Sequence, residues 1–104
     1  MQRIAFMMRI KPGTEEEYRQ RHRQVWPELL AELKRAGCQN YSIYLRGTEL
    51  FAFMEVEDFQ HFLSVMAGSP VSERWEQYMS DILLREIDPT TGFPPVLPEV
   101  FHLD

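Results

Sequence analysis

Three features of this 104-residue sequence predict an α+β fold, with one four-stranded antiparallel sheet and its helices on one face. Short alternating apolar stretches at 3–10, 40–46 and 49–57 read as strands. Two longer segments, 14–36 and 58–84, repeat apolar residues every three or four positions, as helices do. The closing stretch EVFHLD (99–104) has strand chemistry again, which completes the order βαββαβ.

Residues 3–10, RIAFMMRI, put Ile4, Phe6, Met8 and Ile10 on one face and Ala5, Met7 and Arg9 on the other. Both faces are mostly apolar, as in a central strand. KPGT then turns the chain. Thr14 is the expected N-cap, with Glu17 three residues on in capping-box spacing and Glu15 and Glu16 at the positive helix end. The helix runs to Ala36 and stops at Gly37, a common C-cap residue. Its inner stripe is Tyr18, His22, Val25, Trp26, Leu29 and Leu33. Pro27 lacks an N–H, so the helix is expected to kink or restart near Trp26.

NYSIYLR (40–46) and ELFAFMEVE (49–57) form a hairpin around Gly47 and Thr48. Tyr41, Ile43 and Leu45 share one face, and Ser42, Tyr44 and Arg46 the other. A second helical region follows in two pieces, DFQHFLSVMA and SERWEQYMSDILL, separated by GSP. Trp75, Tyr78, Met79 and Ile82 make the apolar face of the second piece. DPTTGFPPVLP is rich in turn residues. The simplest assembly is the ferredoxin-like arrangement. Its second sheet face would leave Ala5, Met7 and the strand 49–57 aromatics uncovered, so a symmetric homodimer of the dimeric α/β-barrel type is expected.

Composition bounds the function. The length suits one domain, 1–104, and 44% hydrophobic with 26% charged residues is ordinary for a globular chain. A net charge of −5 argues against nucleic-acid partners, which need clustered Lys and Arg. The lone Cys38 has no internal disulfide partner and fits a reduced cytoplasm. The N-terminal apolar run is too short for a signal peptide, and no stretch approaches the ~20 apolar residues of a membrane span. His22, His61 and His102 lack metal-ligand spacing, and there is no phosphate loop or nucleophile elbow. No metal or cofactor is expected.

One ionisable ring sits on the dry side of the first helix. Tyr18, His22 and Trp26 follow at i, i+4 and i+8, while Arg19, Arg21, Arg23 and Arg35 carry charge. Two readings stay open for His22: a packed core histidine, or a proton carrier with an ordinary pKa of about 6.5. Tyr41 and Trp75 would each be core packing by composition, and Tyr18 offers a polar tip one turn from His22. Together with His22 they would instead make a pocket of flat rings with polar tips, suited to a sugar. Glu76, beside Trp75, is either solvated or an acceptor for a sugar hydroxyl.

EEYRQRHRQVWPEL, NYSIYL, RWEQYM and the closing EVFHLD resemble the L-rhamnose mutarotases over nearly the whole chain. The resemblance implies a dimeric α+β enzyme that interconverts the anomers of L-rhamnose without cofactor or metal. It implies His22 as proton donor and Tyr18, Tyr41 and Trp75 as sugar-binding residues. Trp75 matches the first of two adjacent tryptophans in that family; Glu76 stands where the second would be. The segment IDPTTGFPPVLP (87–98) also departs from the family's Asn-Pro-Asp-Asn-Ser-Pro. These departures keep L-fucose or another 6-deoxy aldose open as substrate.

Mutarotation needs a proton delivered to the ring oxygen and one removed from the anomeric hydroxyl. His22 is the expected donor, and a water oriented by Tyr18 or Tyr41, or else Glu76, is the candidate second group. Two other classes share the fold type: a small α+β-barrel monooxygenase, which would consume oxygen or carry a bound cofactor, and a non-catalytic ligand-binding dimer.

Overall fold

The computed structural model describes all 104 residues. Its elements are β1 (Gln2–Ile10), α1 (Glu15–Arg23), α2 (Pro27–Arg35), β2 (Cys38–Arg46), β3 (Glu49–Val56), α3 (Phe59–Ala67), α4 (Pro70–Met79), β4 (Leu83–Leu84) and β5 (Val96–Leu97). The strand order is β2-β3-β1-β4, all antiparallel, with β5 also on β1. This is the predicted ferredoxin-like sheet, with β1 central. Alternation sorts the two faces. Ile4, Phe6, Met8 and Ile10 of β1 and Leu50, Ala52, Met54 and Val56 of β3 are buried, and they form one core with Tyr18, Phe62, Met79 and Ile82.

The first helical region restarts, as Pro27 requires. Trp26 is extended (φ −59°, ψ 132°), the conformation a following proline imposes, and Pro27 opens α2 at its first position, where no N–H is needed. The second helix ends near Gly37, whose φ of +85° is readily reached only without a side chain. The capping box at Thr14 does not form. Thr14 Oγ1 donates to the Lys11 carbonyl (2.6 Å) and Glu17 accepts from Arg21 Nε (2.7 Å), so both side chains of the expected box are engaged elsewhere.

Two further expectations are corrected. The helix expected over 72–84 begins earlier, at Pro70, and ends at Met79. The Ser80 and Ile82 amides close tight turns on Gln77 and Met79, and the Ile82 carbonyl accepts from Lys11 N–H (2.9 Å). That bond draws the chain onto the sheet, where Leu83 and Leu84 pair with Ile10 and Arg9. The last strand is not EVFHLD. The free edge of β1 is shared by β4 and by Val96–Leu97, which pair with Phe6 and Ala5, so residues 99–104 meet no open strand. Val100, Phe101 and Leu103 are left exposed.

The second sheet face carries cross-strand rows Tyr44–Phe51–Met7 and Ser42–Phe53–Ala5–Leu97. Tyr44, Phe51, Met7 and Leu97 are all exposed. No helix of the chain is long and apolar enough to cross a membrane.

Candidate active site

A cavity of about 910 Å³ lies between the helices and the inner sheet face, within the size range of small-molecule sites. Tyr18 and His22 reach it from α1, Tyr41 from β2, and Trp75 and Glu76 from α4. All five residues singled out from the sequence therefore line one space.

Tyr41 gets there by a local irregularity. Gln39 pairs with Glu55 and Ser42 with Phe53, so Asn40 and Tyr41 together oppose the single residue Met54. The extra residue is a β-bulge. Asn40 takes a left-handed conformation (φ +50°), which asparagine tolerates better than most residues. Uninterrupted alternation from buried Cys38 would send Tyr41 to the opposite face. The bulge shifts the phase by one, so Tyr41, Ile43 and Leu45 face the helices. Tyr41 then lies beside Phe6, ring centroids 6.2 Å apart.

His22 sits in the last turn of α1. Its ring stacks on Tyr18 (4.1 Å, 24°) and meets Trp75 edge-on (5.5 Å, 87°). Nδ1 lies 3.1 Å from the Tyr18 carbonyl. A carbonyl only accepts, so Nδ1 carries the proton and Nε2 is the free ring nitrogen. Burial lowers the His22 pKa, partly opposed by that backbone bond. The imidazole is therefore mainly neutral at pH 7, with a basic Nε2.

The tyrosines behave differently. Burial raises both phenols, and for Tyr41 the neighbouring Tyr18 and Cys38 add to it while the Arg85 charge opposes it. Both hydroxyls therefore stay protonated across the neutral range. Glu76 is half exposed, and its carboxylate is paired with Arg85.

Trp26, expected on the inner stripe of the first helix, packs edge-on to Trp75 (5.1 Å) and backs the indole. Other contributors escaped sequence reading. Phe93, inside the segment read only as turns, meets Phe6 (4.7 Å, 68°) and lines the cavity. Its signal was a lone large apolar residue between Gly92 and Pro94, the latter fully buried. Arg21 bridges α1 to the end of α4. It forks onto Asp81 (2.9 and 3.0 Å), bonds Glu17 (2.7 Å) and the Tyr78 carbonyl (2.8 Å), and lies over the Tyr78 ring. Arg85 was missed because 72–84 was read as helix. With Leu83 paired to buried Ile10, residues 83 and 85 alternate onto the inner face.

An aromatic-lined cavity of small-molecule size against the inner face of an antiparallel sheet defines the class: a ferredoxin-like α+β protein with an enclosed binding site. Known proteins narrow that class. The profile of the L-rhamnose mutarotase family matches residues 3–103. An L-rhamnose mutarotase of Oceanobacillus iheyensis is 38% identical over 109 residues, with all of both chains covered. One from Escherichia coli K12 is 41% identical over 105 residues, covering 99% of each. The crystal structure of L-rhamnose mutarotase FA22100 from Formosa agariphila superposes with a TM-score of 0.81 at 32% identity, again over the whole of both chains. The chain belongs to the L-rhamnose mutarotase family.

Proposed function

We propose that this protein is an isomerase that interconverts the α and β anomers of L-rhamnose, with His22 as the group that moves the proton. The observation that carries the reading is the pinned imidazole. Its Nδ1 is held by the Tyr18 carbonyl and its Nε2 is free, on a side chain lining the cavity shared with Tyr18, Tyr41 and Trp75.

The chemistry follows from that tautomer. Nε2 takes the proton of the anomeric hydroxyl; C1–O1 becomes a carbonyl as the bond from C1 to the ring oxygen breaks. The imidazolium then delivers the same proton to the ring oxygen, which completes opening with no net proton change. Both oxygens sit on one carbon, so one nitrogen serves both. The open aldehyde turns about C1–C2, and the reverse steps close it on its other face. A positioned acid–base group of this kind contributes ~10²–10⁴-fold. Tyr18 and Tyr41 donate hydrogen bonds to sugar oxygens, and the Trp75 indole packs on the C–H side.

We further infer a homodimer formed through the exposed Met7, Phe51 and Tyr44 face, since an apolar sheet face of this kind is stable when covered. A cytoplasmic location fits the unpaired, buried Cys38, whose thiol burial pushes up to about 11. A second reading, L-fucose or a related aldose as preferred substrate, is favoured by the Glu76–Arg85 pair in the cavity wall.

Saturation transfer between the anomer signals of L-rhamnose in NMR tests the reading. Wild-type protein is expected to accelerate exchange, and His22→Asn to lose about 10²-fold or more while staying folded. Undiminished exchange in His22→Asn would remove the imidazole from the mechanism.

A further inference from the structure

Arg85 is an odd side chain to find in a sugar cavity. Only 19% of it is exposed, it lines the same cavity as His22 and Trp75, and it pairs through Nη1 with Glu76 Oε1. Its Nε–H is buried and bonded to nothing, the one buried side-chain nitrogen or oxygen in the chain without a partner. Buried polar groups are nearly always satisfied, and an orphan guanidinium N–H is among the harder ones to leave so.

We propose that Arg85 is a specificity-determining residue, which with Glu76 forms a donor–acceptor fork that binds two adjacent hydroxyls of the sugar away from its anomeric carbon. The inference rests on the proposed sugar site and adds a recognition element to it. Two physical arguments give the fork its preference. A guanidinium is planar and carries several N–H donors, and with Nη1 on Glu76 its Nε–H remains unused as a donor for a sugar oxygen. Glu76 already balances the Arg85 charge, so the pair as a whole is neutral. It offers a donor and an acceptor side by side, which suits the vicinal hydroxyls of a neutral aldose. An unpaired arginine would suit a carboxylate instead, and this chain, at −5, adds no general attraction for anions.

Position supports the same role. Glu76 and Trp75, both on α4, line the same cavity as Arg85, so the fork and the indole face one space. Arg85 follows β4, whose pairing to β1 fixes it on the inner face independently of α4. Two separate elements therefore meet at this one ion pair.

The test compares wild type, Arg85→Met, Arg85→Lys and Glu76→Gln in anomer exchange with L-rhamnose, L-fucose and D-galacturonate. Arg85→Met is expected to raise KM for L-rhamnose about 10–100-fold, the scale of a charge-assisted hydrogen bond. It should hold kcat within about threefold and narrow the preference between L-rhamnose and L-fucose. Arg85→Lys should recover only part, because an ammonium lacks the planar fork. Glu76→Gln leaves the arginine charge unbalanced and should admit the uronate. Arg85→Met with a lowered Tm but unchanged KM and preference would make the arginine purely structural and overturn the proposal. If that variant does not fold, unchanged selectivity in Arg85→Lys and Glu76→Gln overturns it equally. Wild type that exchanges no neutral aldose needs no variant to detect; it overturns the sugar reading, and this inference with it.

Discussion

The Tyr18 ring stacks on the His22 imidazole at 4.1 Å while the Tyr18 carbonyl, one helical turn back, holds the imidazole Nδ1 at 3.1 Å. One residue thus fixes both the plane and the tautomer of the proposed proton carrier. Spacing of i, i+4 on α1 makes this possible, and the helix break before Pro27 leaves His22 in the last turn, where both side chains line the cavity.

Exchange should depend on pH through His22 alone over the neutral range. Burial lowers its pKa below the ordinary value of about 6.5, and the neutral form is the working one. Activity is therefore expected to be flat above pH 6.5 and to fall only below it, as pH passes the folded-state pKa. Stability has the same sign: the unfolded chain binds the proton more readily, so the His22 contribution is complete above 6.5 and is lost as pH falls through the lowered value. NMR titration of the His22 ring protons beside the exchange rate checks both. A rate that climbs as pH drops through 6.5 would contradict the neutral-imidazole mechanism.

Tyr41→Phe should raise KM for L-rhamnose by about tenfold with a smaller effect on kcat, as expected for one lost hydrogen bond to substrate. Because burial raises both phenols, no second ionisation should appear in the wild-type profile up to pH 10. Anomer exchange measured from pH 7 to 10 tests this directly.

With Asn40 in the strand, the bulge is required to bring Tyr41 to the cavity. Asn40→Gly should be tolerated, since glycine reaches positive φ freely, whereas Asn40→Val should destabilise by about 1–2 kcal/mol. Deleting Asn40 removes the extra residue and leaves Tyr41 alone opposite buried Met54, so Tyr41 should stay on the inner face and KM should remain within about threefold of wild type. Urea unfolding and KM together separate stability from positioning; a deletion that raises KM as much as Tyr41→Phe would show that strand phase alone does not position Tyr41.

Arg21→Ala should reduce kcat/KM about tenfold, because the fork to Asp81 and the bond to the Tyr78 carbonyl hold α1 against the end of α4, and so His22 against Trp75. Arg21→Lys, with charge but no planar fork, should recover only part. Equal kinetics in all three proteins would make the bridge irrelevant to the site.

A charge on the outer sheet face should separate the proposed dimer. Phe51→Glu is expected to convert a dimeric wild type to monomer in light scattering, because a carboxylate would be forced into the apolar row with Tyr44 and Met7. A wild type that is monomeric at micromolar concentration would end the dimer reading.

Local pattern carried much of this protein into view. Alternation in RIAFMMRI and ELFAFMEVE fixed the two central strands, Pro27 fixed the helix restart, and the i, i+4 spacing put His22 beside Tyr18 on an inner stripe. Those are nearest-neighbour effects along one element, and a sequence states them directly. Tertiary structure decided what depends on which edges and faces meet. The edge of β1 went to Leu83–Leu84 and Val96–Leu97, so EVFHLD was left unpaired. A single αL residue at Asn40 re-phased β2, and Arg85 came to Glu76 only when α4 stopped at Met79 and the chain turned onto the sheet. Hydrogen-bond partners are assigned by competition among distant segments, and no stretch of sequence contains its competitors.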